Sequence, residues 1–290
     1  MNEQHYQKVL FRRKLVGKVL AFMCVMAAFS AFVLLVVLIS KIFYDGWAYL
    51  NWDFITNFPS RFPSKAGVLS ALTGSLWVIG LTCLIALPVG VGASIYLEEF
   101  APKNRFTKLI DLNISNLAGV PSIVYGILGL VIFVRGFGFG RSILSASMTM
   151  ALLILPIIII SSKEAIKAIP NATRYAALAL GATRWQTVRD HVIPSALPAM
   201  MTGIILAVSR AIGESAPLLV VGALGYVAFN PKTPMDSFTV LPIQIFNWAA
   251  RPKAEFHQLA ASGIIVLLVV LLAMNSLAIL IRYRYQRKLK

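Results

Sequence analysis

Six long apolar runs constrain the fold of this chain more than any other feature. A helix needs about 20 mostly apolar residues to cross the hydrocarbon core of a bilayer. The runs cover residues 19–40, 69–96, 114–134, 143–160, 198–224 and 259–281. The second is long enough to tilt, and the fourth is short and contains Pro156, where a kink is expected. We therefore predict an all-α integral membrane protein with six transmembrane helices.

The composition points to the membrane as the solvent. Hydrophobic residues make up 58% of the chain and charged residues only 13%, whereas a soluble domain carries roughly 45–50% and about 25%. So few charges cannot cover a water-facing surface, which argues against a soluble enzyme. The first run follows Arg12, Arg13 and Lys14 as in a signal peptide, but it is too long for one and shows no clear cleavage site. We expect it to be retained as a span.

The distribution of basic residues predicts the orientation. The chain carries 27 lysines and arginines against 11 acidic residues, a net charge of +16. With the N-terminus in the cytoplasm, most of these cations fall in cytoplasmic segments, where membrane proteins carry their excess of Lys and Arg. Both termini are therefore predicted to be cytoplasmic. The basic excess is then an orientation signal and an attraction to anionic membrane lipid, and no nucleic-acid partner is expected.

The sequence offers no motif for catalysis, metal binding or nucleotide binding. The glycine-rich stretch 135–142 has one residue too few between its glycines and an arginine in place of the phosphate-loop lysine. Cys24 and Cys83 lie in apolar runs without a CxxC partner. The three histidines, His5, His191 and His257, share no metal-site spacing. We expect no enzyme activity and no cofactor in this chain.

The long segment 161–197, between the fourth and fifth runs, is the most informative cytoplasmic feature. It is too long for a simple helix connection, and loops of this length usually carry a function. After Pro170, Asn171 or Thr173 could cap a helix that ends at Gly181, where glycine supplies a left-handed turn. A second short helix is predicted over 182–191, stopping at Pro194. The pattern predicts two short helices at an angle, with small residues on one face.

This segment resembles the cytoplasmic motif of ABC importer permeases, Glu-Ala-Ala…Gly…Ile-x-Leu-Pro. The matching residues are Tyr175, Ala176, Ala177, Gly181 and Pro194, at the motif's spacing throughout. Tyr175 stands where the motif has glutamate, and His191 stands where it has isoleucine. The resemblance implies a type I ABC importer permease bundle whose cytoplasmic loop inserts into a cleft on an ATP-binding subunit. Those five residues are then the expected ATPase-coupling residues.

Three further motifs are similar to the phosphate-specific branch of these permeases. They occupy residues 96–102, 116–126 and 210–219, and the last ends in Ala-Pro-Leu-Leu, as in the A-type permeases (PstA) of that branch. The resemblance implies a heterodimer with a second, C-type permease in a bacterial plasma (inner) membrane. It also implies an ATP-binding subunit dimer, a separate chain that binds the ATP and Mg²⁺, and a periplasmic or surface phosphate-binding protein. The permease core is expected at 66–282, preceded by a tail, span and outer loop at 1–65 and followed by a basic tail at 283–290.

Arg210 and Glu214 are the charged residues of the predicted fifth span. Four residues apart, they would lie on the same face of one helix. Charges within a bilayer are costly and usually functional. Either the two neutralise each other or another span, or Arg210 offers its planar guanidinium to a phosphate while Glu214 orients it. The order Arg before Glu is the weaker one for a pair within a helix, which favours Arg210 being free to face a group other than Glu214.

Ser122, Ser209 and Ser215 could add hydroxyl donors to the same substrate pathway. A dehydrated phosphate needs such donors, although serines in helices often bond their own backbone instead. Pro121 should break the third span, and such breaks are tolerated against protein or a water-filled cavity. That predicts Ser122 beside a pathway, with a packed kink as the alternative.

The sequence predicts a phosphate importer permease subunit that works by alternating access. The other functions considered are transport of another oxyanion or solute, secondary transport driven by an ion gradient, and a membrane-embedded enzyme. Secondary transport would call for intramembrane acidic groups beyond Glu214, and an enzyme would need a catalytic cluster.

Overall fold

The computed structural model describes residues 3–223 and 225–288, with side chains described for 12–223 and 225–284. Within these residues the chain forms helices and no β-strand. The α-helices are α1 Glu3–Gly46, α2 Trp52–Thr56, α3 Leu69–Ile95, α4 Arg105–Ala118, α5 Ser122–Gly129, α6 Ile143–Lys167, α7 Asn171–Ala179, α8 Arg184–Thr187, α9 Ile193–Gly213, α10 Ala216–Val221, α11 Leu241–Ala249 and α12 Ala254–Lys288. Three π-helical segments, Tyr96–Phe100, Leu130–Gly136 and Val188–Val192, extend or join them.

The helices supply six candidate membrane crossings. Five continuous helical stretches are long and apolar enough to span a bilayer: Arg12–Tyr49, Leu69–Phe100, Ile143–Lys167, Arg184–Gly213 and Ala254–Arg284. The sixth is a bent pair, Arg105–Ala118 with Ser122–Gly136, whose halves meet at 103°. The prediction of a six-span, all-α membrane protein is confirmed.

The third predicted run, 114–134, is not one straight helix. Its first residues belong to α4, and the chain breaks between Ala118 and Ser122 before continuing in a new direction. Pro121 has an extended conformation, with φ −55° and ψ 136°. Proline has no amide hydrogen for an intrahelical bond, and it restricts the residue before it. The predicted break at Pro121 is therefore confirmed, but α4 is a separate helix and not part of a straight span.

The fourth run is longer than the sequence suggested. The helix α6 starts at Ile143 as predicted but continues to Lys167, past residue 160, with Pro156 buried inside it. No glycine or proline follows Pro156 until Pro170, so the helix has no local reason to end earlier. The predicted connection 161–197 shrinks accordingly, because its first seven positions are helical.

The helix α6 forms the centre of the bundle and packs against α3, α5, α9 and α10. Its fully buried side chains include Ile143, Met150, Ile154 and Ile158. We call the end of the bundle that contains Phe100, Lys167 and Arg184 the basic end. The other end carries a second apolar cluster in which Phe54, Val68, Leu241, Trp248 and Leu259 pack together.

The first span stands apart from the bundle. The helix α1 packs chiefly on α12, and the 18-residue apolar stretch that qualifies it as a span has no buried residue. The predicted division at residues 65 and 282 stays a prediction, and α12 runs through residue 282 without a break. Residues 1–2 and 289–290 of the predicted tails, and residue 224 of the fifth predicted run, lie outside the described residues.

Candidate functional site

The coupling segment, by which we mean the part of residues 161–197 that follows α6, begins with the short helix α7 at the basic end. Pro170 occupies the N-cap position of α7, so neither Asn171 nor Thr173 caps it as predicted. The helix ends as expected: Gly181 has φ +86°, and its amide donates to the carbonyl of Leu178 at 3.0 Å. Side chains other than glycine rarely adopt this left-handed conformation. Gly181 therefore fixes the direction in which the chain leaves α7.

The second half of the segment differs from the prediction. Thr183 and Gln186 form a reciprocal capping box that starts α8. The chain then continues through the π-helical segment Val188–Val192 into α9, giving one helical stretch, Arg184–Gly213. The predicted stop at Pro194 is wrong, because Pro194 lies in the first turn of α9 directly after the π-helical segment. Within this continuous stretch Pro194 removes one helical hydrogen bond without ending the helix, and the local departure from α-helical geometry is the π-helical segment directly before it.

The exposed residues of this segment form an apolar patch at the basic end. Tyr175 is 67% exposed and Leu180 is 90% exposed, and Ala176 is exposed beside them. Ala177 is buried and anchors α7. Exposed apolar residues that share a surface mark an interaction site more often than isolated ones do. This surface, which we call the coupling patch, is suited to contact another protein.

An ion pair that the sequence analysis missed holds α7 in place. Arg174 Nη2 lies 2.6 Å from Glu99 Oε1, and the two side chains are 17% and 9% exposed. The same guanidinium donates to the backbone carbonyl of Ile169 at 2.7 Å and to that of Ile166 at 3.0 Å. The one local signal for this pair was a carboxylate at the end of an apolar span. A second pair, Lys163 with Asp111 at 2.6 Å, joins α6 to α4.

Arg210 and Glu214 do not lie on one face of one helix, so that prediction is wrong. The helix α9 ends at Gly213, and Glu214 is extended, with φ −81° and ψ 124°. The cause is Pro217, whose ring would clash with the carbonyl of Gly213 four residues earlier if the helix continued. Sequence reasoning could have used this proline to place the break.

Both charged side chains are available for other partners. Arg210 is exposed and Glu214 half-buried. Among the described residues, neither side chain makes an ion pair or a hydrogen bond. The alternative in which Arg210 is neutralised within this chain therefore finds no contact to support it in the described part. Arg210 lies beside the buried Ala211, which packs in the same cluster as Met150 of α6.

The three predicted serines separate into two groups. Ser209 donates to the carbonyl of Ile205 at 2.7 Å and lies 2.6 Å from Asn275 Oδ1, so it faces α12. Ser122 begins α5 and Ser215 precedes α10, and both are half-buried. Neither hydroxyl has a hydrogen-bond partner within the described residues. The structure thus places Ser122 and Ser215 at the starts of two helices that pack together, α5 and α10, whereas Ser209 faces α12.

A sequence model of one protein family matches most of this chain. The family is described as "Binding-protein-dependent transport system inner membrane component", and the match covers residues 86–290. The chain belongs to this family. It is therefore a permease, a transport subunit whose ATPase is a separate subunit, as predicted.

Related permeases match most of the chain. The chain is 34% identical over 277 residues to the probable ABC transporter permease protein YqgI of Bacillus subtilis, covering 91% of this chain and 94% of that protein. It is 30% identical over 227 residues to the phosphate transport system permease protein PstA of Haemophilus influenzae, covering 78% and 79%.

Solved structures share the fold. A bacterial alginate ABC transporter superposes with a TM-score of 0.63 at 16% identity, covering 95% of this chain and 94% of that chain. The MetNI methionine ABC transporter superposes with a TM-score of 0.55 at 20% identity, covering 77% and 94%. At these identities the likeness concerns the fold alone, and it confirms the predicted type I importer permease bundle.

Proposed function

We propose that this permease is the A-type subunit of an ATP-driven phosphate importer in a bacterial plasma membrane. It forms one half of the pathway with a second, C-type permease. An ATP-binding subunit dimer docks on the coupling patch, and a phosphate-binding protein delivers the solute at the opposite end. The basic end is then cytoplasmic, in line with the distribution of Lys and Arg.

The relatives support phosphate as the solute. The PstA protein of Haemophilus influenzae is 30% identical to this chain, and PstA 1 of Mycobacterium tuberculosis is 29% identical over 234 residues. The names of the Bacillus subtilis relatives YqgI and YqgH specify no solute. The phosphate assignment therefore depends on the chemistry of this chain as well as on its relatives.

The position of Arg210 is the observation that carries the proposal. It is an exposed cation in a membrane-spanning helix, three residues before that helix ends, and it has no acidic partner in the described part of the chain. A charge within the bilayer is costly unless it faces protein, water or a ligand. The planar, permanently charged guanidinium presents several donors to the oxygens of an oxyanion. Arg210 is thus suited to bind phosphate transiently in the pathway between the two permeases.

The surrounding groups suit a site that must bind and release. Glu214, in the extended turn after α9, keeps the empty site close to neutral. Ser122 and Ser215, whose hydroxyls have no hydrogen-bond partner among the described residues, supply further donors. Ser209 is already bonded to Ile205 and Asn275, so in this role it orients α9 through α12. A weak, multi-donor site allows the anion to leave again.

The coupling segment connects the ATP-binding subunit to the proposed phosphate site. The coupling residues are Tyr175, Ala176, Ala177, Gly181 and Pro194. Tyr175 and Ala176 contact the ATP-binding subunit, Ala177 anchors α7, and Gly181 and Pro194 set the path into α9. Because α8 and α9 belong to one helical stretch, Arg184–Gly213, displacement of its basic end moves the helix that carries Arg210. The spans then rock so that Arg210 faces first outward and then inward, which is alternating access.

Uptake into vesicles tests this function. The chain is reconstituted with a C-type permease, the ATP-binding subunit and the binding protein, and uptake of radiolabelled phosphate is measured with and without ATP. We expect ATP-dependent uptake that fails when the ATP-binding subunit is omitted. Arsenate and sulfate as competitors distinguish phosphate from other oxyanions. Uptake by this chain alone, or uptake of a different solute only, would contradict the proposal.

The Arg210→Gln variant tests the proposed ligand. We expect it to abolish phosphate uptake while the ATP-binding subunit still co-purifies, because the side chain lies far along α9 from the coupling patch. Arg210→Lys keeps the charge but loses the planar fork, so it should retain partial uptake. Arg135→Gln, which removes an exposed arginine from the π-helical segment Leu130–Gly136, is the matched control. Normal uptake by Arg210→Gln would rule out the ligand role.

A further inference from the structure

One π-helical segment contacts both halves of the coupling segment. Tyr96–Phe100 continues α3 at the basic end. Its Glu99 pairs with Arg174 of α7 at 2.6 Å. The next residue, Phe100, stacks against Trp185 of α8, with ring centroids 6.3 Å apart and planes tilted by 40°. The second span therefore ends on the two helices that flank Gly181.

Arg174 joins three elements through one guanidinium. Its Nε and Nη2 both donate to Glu99, at 3.1 and 2.6 Å from Oε1. Its Nη1 donates to the carbonyl of Ile169, two residues after α6 ends, and its Nη2 donates to that of Ile166 in the last turn of α6. The last carbonyls of a helix lack intrahelical partners. The Ile166 carbonyl also accepts from the Ile169 amide at 3.2 Å, so the guanidinium reinforces a helix end that is already capped. The ends of α3 and α6 and the start of α7 are thus held by a single side chain.

The burial of this pair distinguishes it from a surface salt bridge. Exposed ion pairs contribute little because water screens them, but Arg174 and Glu99 are 17% and 9% exposed. Removal of one partner from a pair this shielded leaves the other charge uncompensated, and this destabilises the folded protein. Charge-assisted bonds to a guanidinium also fix its orientation. Within the segment itself, Ala177 is the buried side chain of α7, so the pair is a main attachment of that helix.

We infer that Glu99 and Arg174 are positioning residues that make the coupling segment and the second span move as one body. A displacement applied to the coupling patch acts on α7, and the ion pair transmits it to α3. The Phe100–Trp185 contact transmits it in parallel from α8. The inference depends on the proposed function, because it assumes that an ATP-binding subunit acts on this patch.

Four variants test the pair. Glu99→Gln and Arg174→Gln each leave a shielded charge without its partner, and the double variant removes both charges. Arg189→Gln is the matched control, because it breaks the exposed pair between neighbours Arg189 and Asp190 in the same segment. The readout is phosphate transported per ATP hydrolysed by complexes in vesicles, normalised to the ATP-binding subunit that co-purifies.

We expect each single variant to lower phosphate transported per ATP by about tenfold, within the range typical of energetic coupling between two sites. The double variant should lose less than the two single losses combined, because no unpaired charge remains. Arg189→Gln should match the wild type. A merely structural pair would reduce the yield of complex but leave phosphate per ATP unchanged. That result, or strictly additive losses, would overturn the inference.

A distance measurement tests the same point without a solute. Tyr96 at the end of α3 and Ala172 on α7 are exposed, so both can be replaced by cysteine and spin-labelled after Cys24 and Cys83 are changed to serine. We expect the complex with its ATP-binding subunit to keep one label distance with and without ATP, and Glu99→Gln to broaden it. A wild-type distance that changes with ATP would contradict the one-body movement. A complex that hydrolyses ATP without phosphate uptake would instead contradict the proposed function, and the label distance would still test the pair.

Discussion

Replacement of Gly126 by alanine is predicted to separate two helices beside the pathway. Gly126 lies in α5 against the start of α10. A Cβ atom there would stand 2.7 Å from Pro217 Cα and 3.0 Å from both the Pro217 carbonyl oxygen and Val220 Cβ. Two of these atoms are backbone and cannot rotate away, so one helix must shift. The shift would move the turn at Glu214 that precedes α10.

A second glycine provides the reference for the size of this effect. Gly80 lies in α3 and has no atom within 4 Å of its ideal Cβ position. In both helices, alanine gains roughly 1 kcal/mol of helix propensity over glycine, so this term cancels between the variants. The remaining difference is overpacking at Gly126, which typically costs about 1–3 kcal/mol. Gly126→Ala should therefore be less stable than Gly80→Ala by that amount.

Thermal unfolding of the purified complex in detergent measures the difference. For domains of 150–250 residues about 1 kcal/mol corresponds to a shift of roughly 2–4 °C in Tm. We expect the Tm of the Gly126→Ala complex to lie below that of the Gly80→Ala complex by a difference of this order. Phosphate uptake should fall in Gly126→Ala and stay normal in Gly80→Ala. Equal Tm values and equal uptake would show that α5 and α10 are not in this close contact.

Two further predictions concern the two ends of the bundle. Gly181→Val places a β-branched residue at φ +86°, so we expect the ATP-binding subunit to stop co-purifying or phosphate uptake to be lost. Gly138→Val is the control, because Gly138 also has a positive φ, +71°, but lies at a turn beyond Arg135, and it should keep both. A normal complex with normal uptake in Gly181→Val would refute the prediction. Hydrogen bonds from the backbone amides of Thr233 and Lys232 lower the pKa of Asp236 below its ordinary value of 3.8. The ionised carboxylate therefore stabilises this loop above pH 3.8, and the stabilisation is lost as the pH falls through the lowered pKa. The protection of residues 225–240 against hydrogen exchange, taken relative to the intrinsic exchange rate at each pH, should therefore fall below about pH 4. Asp236→Asn should show no such fall, and the same pH dependence of protection in both proteins would contradict this role.

Local signals identified the parts of the fold that depend on neighbouring residues. Apolar runs predicted six crossings, Pro121 predicted the break in the third, and Gly181 predicted the end of α7. Each of these is decided along one continuous piece of chain. The hydrocarbon thickness sets the length of a crossing, the missing amide of proline breaks the third run, and a left-handed turn ends α7. The break after Gly213 belongs to the same class, because Pro217 dictates it, although the apolar run concealed it.

By itself the sequence determined the membrane as solvent, the helical class and the place of the coupling segment. Only the tertiary structure decided which distant groups meet. Glu99 and Arg174 are 75 residues apart in the chain, Ser209 and Asn275 are 66 apart, and the approach of Pro217 to Gly126 brings α10 against α5. Such contacts depend on how the helices pack around α6, and no periodicity or spacing in one segment specifies its neighbour across the bundle.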